Sequence, residues 1–523
     1  MKRFLSLVLL TVMISNHLLF AQENSEPALE TSVESSSEKE EVDIQKEEVS
    51  SSDIVFDLSH VSEPVSAPFL HENDGKKHWF TAIGGMLFFN VGLAAYNRFI
   101  LGASWAKIGP DEWKYFWLRE WEFDNDWYWT NFVLHPYQGG IYYMLARNSN
   151  LNYLEASGVT ALGSLFWEYL CETNLPSKND LVYTTFGAFA VGEMLYRLSL
   201  NADEMSEIFA TFINPARWWT QPLLRQKPLG TTRNIHELSL KTAIGCSNSY
   251  THIINGSGYT YTESENFPFF FSPSLSIVYN DPYGHDSNEP YSQFDLDINL
   301  AIGKGSGVGA DTTYSTFDKE FMYDIRIMSD GMLFARAPKF SENTDTTLGL
   351  ALEYQFDWHQ FYEISALGPG GAIKQRVRFE NSNLEWQAHL ALDIIGTTDY
   401  YYYHRPVVNL NGNSTPRNYS MGSGLMTILK TRYIMENGFA ANFAFRGYAL
   451  YDFWDQIPGD SMYPATGWEL IGVFEASLEL PLSKIARFGL SGEMYMKRTF
   501  YNEMPDIFQM FNTLGAFVKF QLK

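Results

Sequence analysis

Apolar residues recur at every second position over long segments from about Ile235 to the end of the chain. In the segment GWELIGVFEASLEL, one face begins with Trp468 and Leu470, and the other carries Glu469 and Glu475. Successive side chains of a β-strand point to opposite faces, so a period of two predicts strands. Segments of roughly 10 to 14 residues exceed ordinary strands and match a tilted bilayer crossing. The pattern therefore predicts membrane-spanning strands.

The polar face of these strands separates a membrane barrel from a soluble sandwich, which also alternates. It mixes acidic residues with basic ones: Lys374, Arg376, Arg378, Arg446, Arg487, Lys497 and Lys519. Mixed charges suit a wet lumen, whereas the core between two packed sheets is apolar. We therefore predict an antiparallel transmembrane β-barrel of about 12 strands over residues 235–523.

Short and long connections alternate along this region. We predict short turns at 380–383, 435–438 and 481–486, and long loops near 396–419, 453–467 and 501–510. Outer-membrane barrels have short turns on the periplasmic side and longer loops on the outside. This assignment places the C-terminus in the periplasm.

The N-terminus has the features of an export signal. Lys2 and Arg3 precede an apolar run from Phe4 to Phe20, and a small residue follows. We interpret residues 1–21 as a signal peptide. Residues 22–76 are rich in Ser and Glu and poor in aromatic and large apolar side chains, which predicts a disordered acidic spacer.

Charge and cysteine content exclude several classes of protein. The net charge of -24 argues against nucleic acid as a partner, because nucleic-acid binding requires clustered Lys and Arg. The two cysteines, Cys171 and Cys246, are too few for a disulfide scaffold or a cysteine-rich metal cluster. Export permits one disulfide between them, but the sequence does not supply the geometry, so their pairing stays open.

The apolar period changes to that of helices between residues 77 and 222, where we predict an all-α domain. Its segments are Trp79 to Leu101, a short one after Pro136, Leu154 to Glu172 and Leu181 to Leu198. The first approaches transmembrane length, but it contains the polar or charged residues Asn90, Asn97 and Arg98. A strong membrane span would stop export at the inner membrane, so we interpret these helices as buried or interfacial.

Two of these helices have apolar stripes that lead into carboxylates. One stripe is Leu154, Gly158, Ala161 and Leu165, continuing into Glu168 and Glu172; the other is Val182, Phe186 and Phe189, continuing into Glu193 and Tyr196. We predict that the apolar part of each stripe packs inside the domain. Buried carboxylates need partners. The expected polar network consists of Asn90, Arg147, Glu193 and Arg197.

His135 lies at the entrance of the helix in NFVLHPYQGGIYYMLARN. The favoured interpretation of this residue and of the nearby acids is a buried ion-pair and hydrogen-bond network that fixes helix register. One alternative is a metal site that combines His135 with a glutamate, Glu168, Glu172 or Glu193. Another is a general acid–base site of His135, Glu168 and Glu172. The favoured interpretation includes no cofactor and no metal.

Ser177 and Asp180, in PSKND, have the spacing of a capping box before an apolar run. In such a box the serine hydroxyl accepts a hydrogen bond from the backbone N–H three residues on. We therefore favour a capping role for Asp180 over a chemical one.

Three motifs follow one another along the helical region: NFVLHPYQGGIYYMLARN, LFWEYLCETNLPSKNDLVYTTFGAFAVGEMLYRLS and FINPARW. Over roughly Asn131 to Trp218, their order resembles the bacterial family called domain of unknown function 3943. The last motif departs from the family pattern, because Trp218 stands where a glycine is expected. The resemblance implies an exported protein of the outer membrane and names no activity.

Together these patterns predict an outer-membrane β-barrel whose helical domain lies on the periplasmic side and either plugs the barrel or docks to it. We favour a structural, transport or envelope-organising role, since the sequence has neither a Gly-x-Ser-x-Gly elbow nor a His-Glu-x-x-His helix. The expected partners are outer-membrane lipid and an envelope protein or small-molecule ligand. The alternative is an enzyme that modifies envelope lipid or a small molecule through His135 and buried carboxylates.

A third class is a binding module that acts through aromatic loop residues, such as those of TTDYYYYHRPVVNLNGNSTP. In this interpretation Tyr400 to His404 contact a sugar or lipid headgroups. We favour an interfacial aromatic girdle instead, because Tyr is enriched at that level of membrane barrels.

Overall fold

The computed structural model describes residues 76–124, 126–225, 234–255, 258–304, 321–359, 361–399, 419–452, 466–502 and 505–523. The predicted signal peptide lies outside the described residues, as does the predicted spacer apart from Lys76. The aromatic loop Tyr400 to His404 also lies outside them.

Twelve antiparallel strands close into one barrel, as the alternation predicts. Each strand pairs with its neighbours in the chain, and β1 pairs with β12 to complete the ring. The strands are β1 Ile235–Asn255, β2 Gly258–Tyr279, β3 Phe294–Lys304, β4 Phe321–Arg336, β5 Thr344–His359, β6 Glu363–Arg378, β7 Ser382–Asp399, β8 Tyr419–Met435, β9 Ala440–Asp452, β10 Gly467–Pro481, β11 Ala486–Tyr501 and β12 Asp506–Gln521. Closure leaves no unpaired sheet edge, which a bilayer does not tolerate.

The two faces of the barrel wall differ in polarity. On β5, Glu353 and Gln355 point to the lumen, whereas Leu350 points outward and is exposed. Other exposed outward residues include Leu300, Ile302, Leu390, Leu392, Leu425, Leu470, Leu490 and Leu514. A wall that is apolar outside and polar inside is the pattern of a transmembrane barrel.

Three connections at one end of the barrel are short, as predicted, although the connections 280–293 and 337–343 at the same end are longer. Residues 379–381, 436–439 and 482–485 connect consecutive strands there, and β1 begins and β12 ends at the same end. We call this end the short-turn rim and the opposite end the long-loop rim. The long loop predicted near 501–510 is wrong, since β11 ends at Tyr501 and β12 begins at Asp506. The Asp506 carboxylate accepts from the Tyr501 backbone N–H at 3.0 Å, which joins the end of β11 to the start of β12.

All four predicted helical segments are present. The helices are α1 Trp79–Tyr96, α2 Pro110–Lys114, α3 His135–Asn148, α4 Tyr153–Leu170, α5 Lys178–Val182, α6 Ala188–Ala202, α7 Glu207–Ile213 and α8 Arg217–Leu224. Three π-helical turns extend them: Asn97–Leu101 continues α1, Thr130–Leu134 leads into α3, and Tyr183–Gly187 joins α5 to α6. Pro136 follows the second of these turns, so the chain before it is already helical and the proline does not mark a helix start.

Local sequence explains where α4 and α5 begin. The Asn152 side chain accepts from the Glu155 backbone N–H, and the Glu155 carboxylate accepts from the Asn152 backbone N–H, each at 2.9 Å. The Ser177 hydroxyl accepts from the Asp180 backbone N–H at 3.1 Å, which is the serine half of the predicted box. These bonds satisfy backbone donors that a helix start leaves without partners.

A glycine allows α3 to approach the turn before α6 closely. A Cβ at Gly139 would overlap the carbonyl oxygen of Thr184 and lie 2.8 Å from the Cβ of Ala188. At the adjacent Gly140, a Cβ would lie 3.6 Å from the Cα of Gly192, an ordinary contact distance. Only the first glycine is therefore required by packing.

The predicted packing stripe of α4 is instead its exposed face. In this stripe Leu154 is 78% exposed, Gly158 is exposed, and Ala161 and Leu165 are partly buried; the neighbouring Leu162 is exposed, whereas Val159 and Trp167 are buried. The opposite face was not predicted because it carries small and polar residues. Those residues allow close contact with α1 and α3, where Gly163 meets the ring of Tyr142.

The helical domain docks on the outside of the barrel. Tyr354 and Phe356 share the outward face of β5 with Leu350, yet they are buried against Tyr128 and Phe132 of the helical domain. The rings of Tyr128 and Phe356 stack at 5.1 Å. Of the two expected arrangements, docking is present and plugging is wrong, because the lumen cavity is lined by barrel residues.

The two cysteines do not pair. Cys171 is buried directly after α4, and Cys246 is exposed on β1, so both are free. The question that the sequence left open is thereby answered.

Candidate functional sites in the helical domain and the barrel lumen

His135 lies among carboxylates from three parts of the helical domain, of which Glu168, Glu172 and Asp180 are buried and Asp126 is half exposed. We call this group the His135 cluster; it consists of His135, Asp124, Asp126, Glu168, Glu172 and Asp180. The His135 Nε2 atom lies 3.2 Å from Asp180 Oδ2 and 3.9 Å from Asp126 Oδ2. The structure therefore brings together the three candidates predicted from sequence, His135, Glu168 and Glu172, and adds three aspartates to them.

Amide groups hold these carboxylates in place. The Nδ2 atoms of Asn131 and Asn179 each donate to Asp124 Oδ1 at 2.9 Å. Asn179 Nδ2 also donates to Asp180 Oδ1 at 2.9 Å, and the Ser177 backbone N–H donates to Glu168 Oε2 at 2.7 Å. The Asp180 carboxylate thus faces Asn179 and His135, so the predicted capping role describes only its backbone.

The His135 cluster contains five carboxyl groups and one imidazole. Arg119 lies nearby, but its guanidinium donates to the backbone carbonyls of Glu168, Glu172 and Thr173. Burial raises the pKa of Glu172 well above its usual range, and the neighbouring Glu168 carboxylate raises it further. Shared protons therefore offset part of the charge, and the arrangement can hold and exchange protons.

A second buried cluster is centred on Glu193. Its carboxylate accepts from Arg147 Nε at 2.7 Å, from Arg147 Nη2 at 3.1 Å, from Arg197 Nε at 2.9 Å and from the Tyr143 hydroxyl at 2.8 Å. The structure thus places three of the four predicted network residues together. The fourth, Asn90, is separate and donates to the Gly163 carbonyl at 3.1 Å.

The FINPARW motif contributes a third buried polar contact. Arg217 forms a two-bond ion pair with Asp203, and both side chains are almost fully buried. Asn214 Nδ2 donates to Asn148 Oδ1 at 3.1 Å, which ties the motif to the end of α3. Asp203 was missed in the sequence, where it follows α6 without a distinctive spacing.

The seven basic residues predicted on the inner face each have an acidic partner. Their ion pairs are Lys374 with Asp330, Arg376 with Glu385, Arg378 with Asp345, Arg446 with Glu475, Arg487 with Glu479, Lys497 with Glu469, and Lys519 with Glu479. The lumen is therefore cross-linked by charge pairs between strands.

A cavity of about 440 Å³ occupies the part of the lumen nearer the short-turn rim. Its lining includes Glu237 and Lys519, close to that rim, and Arg326 and Glu493 deeper in the barrel. Arg326 donates to Glu493 at 2.8 Å and to Asp357 at 2.9 Å, so an ion-pair layer forms the floor of the cavity.

An aromatic layer follows this floor. The rings of Tyr362 and Tyr495 stack at 4.0 Å, those of His359 and Tyr362 at 4.6 Å, and His359 contacts Phe511 at 4.3 Å. Inward apolar residues such as Ile471 pack around them. The described residues thus fill the middle of the lumen with aromatic and apolar side chains.

One lumen group has the donors and spacing of a metal site: Asp330, Glu353 and His389, all buried. Lys374 and Lys430 contact the two oxygens of Asp330 at 2.7 and 3.3 Å. His389 Nδ1 lies 2.6 Å from Glu353 Oε1. The two ammonium groups supply the positive charge that a cation would bring, so this group acts as an ion-pair network.

Comparison with protein families identifies the helical segment. A family model described as Domain of unknown function (DUF3943) matches residues 120–216. Residues 120–216 are thus similar to a DUF3943 domain. The resemblance predicted from the motifs is confirmed, and the matched residues contain both His135 and Glu193 with their buried partners.

The barrel is similar to solved outer-membrane structures. An outer membrane channel from Pseudomonas putida F1 matches at 10% identity and a TM-score of 0.28, over 54% of this chain and 95% of that chain. The P. putida toluene transporter TodX matches at 9% and 0.24, over 55% and 90%. The Escherichia coli outer membrane protease OmpT matches at 10% and 0.21, over 56% and 99%. At these scores the similarity transfers no activity.

No curated protein sequence matches the chain significantly. The assignment of the chain as an outer-membrane β-barrel protein therefore rests on its closed sheet, its apolar outer face and its charged lumen.

Proposed function

We propose that the barrel is a gated channel for a small charged solute. The lumen cavity carries this proposal: at about 440 Å³ it has the size of a small-molecule site, and it ends at the aromatic layer. A structural barrel has no need of a charged cavity that extends from one rim to the middle of the lumen. The aromatic layer is the closed gate.

The orientation follows from the rims. Short turns of outer-membrane barrels face the periplasm. The chain enters β1 at Ile235 and leaves β12 at Gln521 on the short-turn rim. We therefore place the junction with the helical domain, and the mouth of the cavity, on the periplasmic side.

The lining of the cavity indicates the charge of the solute. The carboxylates among the lining residues are Glu237, Asp295, Asp297, Asp324, Asp330, Glu353, Glu385, Glu475, Glu479 and Glu493. The lysines and arginines are Lys241, Arg326, Lys430, Arg432, Arg446 and Lys519. Ten acids against six bases favour a cationic solute, or a zwitterionic one that contacts both kinds of group.

Conductance of the purified protein in planar lipid bilayers tests the gate. The wild-type barrel should conduct weakly, and the double variant Tyr362→Ala with Phe511→Ala should conduct more and select cations. Phe500→Ala is the matched control, because Phe500 is an exposed outward residue of β11. A wild-type pore that is fully open, or a folded double variant that stays closed, would contradict the proposal.

A second function, lipid or small-molecule modification by the helical domain, is favoured by one observation. His135 and two predicted glutamates share a buried cluster in which the imidazole lies 3.2 Å from a carboxylate oxygen. Mass spectrometry of envelope lipids from cells that express wild-type protein or His135→Asn tests it. His285→Asn, at an exposed histidine, is the control. Identical lipid profiles for all three proteins would exclude a lipid-modifying activity.

A further inference from the structure

The helical domain covers a surface that would otherwise face lipid. Outward residues of β5 lie in one row, in which Leu350 is exposed while Tyr354 and Phe356 are buried by helices. On β8, the outward Tyr419 is buried as well, and its hydroxyl donates to the Asp126 carbonyl at 2.6 Å. The covered and uncovered parts belong to the same apolar belt, so the helices occupy the position of a lipid layer.

α6, together with the π-helical turn Tyr183–Gly187 before it, lies against the barrel wall and extends from one rim toward the other. Near its start, the Tyr183 hydroxyl donates to the Ile395 carbonyl at 2.6 Å, close to the long-loop end of β7. Near its end, Asn201 Oδ1 accepts from the Asn234 backbone N–H at 3.1 Å, at the short-turn rim. The distance between these residues along a helix is about 27 Å, close to the thickness of the hydrocarbon core of a bilayer.

The polarity of the domain is that of a membrane protein. The charged groups Glu193, Arg197 and Arg217 on its longer and last helices are buried and paired, while exposed charges such as Asp111, Lys178 and Glu207 lie on short helices. Its apolar groups are exposed: Phe80 is 96% and Phe99 is 74% exposed. A water-soluble domain shows the opposite distribution, whereas membrane-embedded charges face the interior of a bundle.

α1 shows this exposure of apolar surface most clearly. The 18 residues of α1, WFTAIGGMLFFNVGLAAY, contain no charged side chain. With its π-helical extension it forms Trp79–Leu101, which is long and apolar enough to cross a membrane, and only 22% of its most apolar window is buried. Of the two expected positions, buried or interfacial, burial does not hold for most of the surface of this helix. Of the three polar residues that suggested burial, Asn90 and Asn97 are buried, and Arg98 is partly buried and donates to the Ile108 carbonyl at 2.7 Å.

We propose that the helical domain lies within the outer membrane beside the barrel, with α1 and the exposed stripe of α4 in contact with lipid acyl chains. The charged partners of the bundle stay inside it, and the barrel wall forms its other boundary. The His135 cluster is then a polar site inside a lipid-surrounded bundle. This proposal is independent of whether the lumen conducts.

Fluorescence quenching of the full-length protein in lipid vesicles tests the proposal. The two native cysteines are replaced by Cys171→Ala and Cys246→Ser, and the fluorophore NBD is attached at Val91→Cys on α1 or at Leu162→Cys on α4. Both side chains are exposed on the faces in question. The vesicles contain dibrominated phosphatidylcholine, which quenches probes among acyl chains, and iodide is added separately to quench probes in water.

Two labelled positions in the barrel calibrate the result. Leu390→Cys marks the lipid-facing wall, and Ser483→Cys marks a turn at the short-turn rim. Heat-modifiable migration on a gel confirms that each variant is folded. We expect NBD at 91 and 162 to lose as much emission in brominated vesicles as NBD at 390, and to resist iodide.

Either of two other results would overturn the proposal. Quenching by iodide, as at position 483, would place the domain in the aqueous periplasm. Resistance to both quenchers would show that a protein surface, such as a second copy of the chain, covers these helices. Two probe positions on separate helices keep the test decisive if one variant fails to fold.

Discussion

Substitution of Glu193 by Gln should strongly destabilise the helical domain. Glu193 is fully buried and accepts four hydrogen bonds, three of them from Arg147 and Arg197. Glutamine has nearly the same shape but no charge, so two buried guanidinium groups would lose their counterion. Breaking a buried ion pair in this way costs about 3–5 kcal/mol, which lowers the ratio of folded to unfolded domain roughly 150- to 5,000-fold.

Pulse proteolysis over a urea series measures this loss, while heat-modifiable migration shows that the barrel is intact. The matched control is Glu155→Gln, which removes the partially exposed ion pair with Lys77. Its loss should stay within about 1 kcal/mol, as is usual for surface pairs. A triple variant that replaces Arg147 and Arg197 by Met and Glu193 by Leu should recover much of the stability. If Glu193→Gln behaves like the surface control, the buried network does not stabilise the fold as we argue.

Three further predictions use the same assays. Gly139→Ala should lose about 1–3 kcal/mol because its Cβ has no space, whereas Gly140→Ala should be neutral or gain up to about 1 kcal/mol of helix propensity; equal effects would contradict the packing described above. Burial raises the folded-state pKa of Glu172, so the charged carboxylate opposes folding and stability is lost as the pH rises through that pKa. Glu172→Gln should therefore raise the melting temperature of the domain near pH 8 and leave it unchanged near pH 4. A gain of the same size at both pH values would refute this. Lys497→Met should lower the temperature at which the barrel loses its compact gel mobility. The reason is that Lys497 Nζ lies 3.0 Å from the buried Glu469 carboxylate, which would lose this cation. Arg378→Gln, which removes an exposed ion pair, should leave that temperature unchanged.

The barrel could be predicted from sequence because its signal is local. Side chains of a strand alternate between only two faces, so a segment of ten residues is enough to show which face is apolar and which is charged, as in Trp468 to Glu475. The prediction of 12 strands is confirmed by the closed sheet. The connection between β11 and β12 was mispredicted because a single carboxylate, Asp506, joins the two strand ends, and one side-chain bond leaves no pattern in the sequence.

The candidate site was only partly predictable. His135, Glu168 and Glu172 stand out because they interrupt apolar stripes. Asp124 and Asp126 lie outside any helix, so periodicity says nothing about them, and Asp180 has a spacing that also fits a cap. The fold brings these residues to His135 from as far away in the sequence as Asp180, through contacts between helices that no spacing rule contains.

The sequence by itself determined the two architectures, a helical domain followed by a membrane barrel, because hydrophobic period and strand length follow from local backbone geometry. Only the tertiary structure decided where the helical domain lies, and which of its faces are exposed. A helical period shows that a face is apolar, but protein and acyl chains are equally apolar surroundings for it. That Leu154 is exposed and Glu193 is buried therefore became known only from the packing of the helices against one another and against the barrel wall.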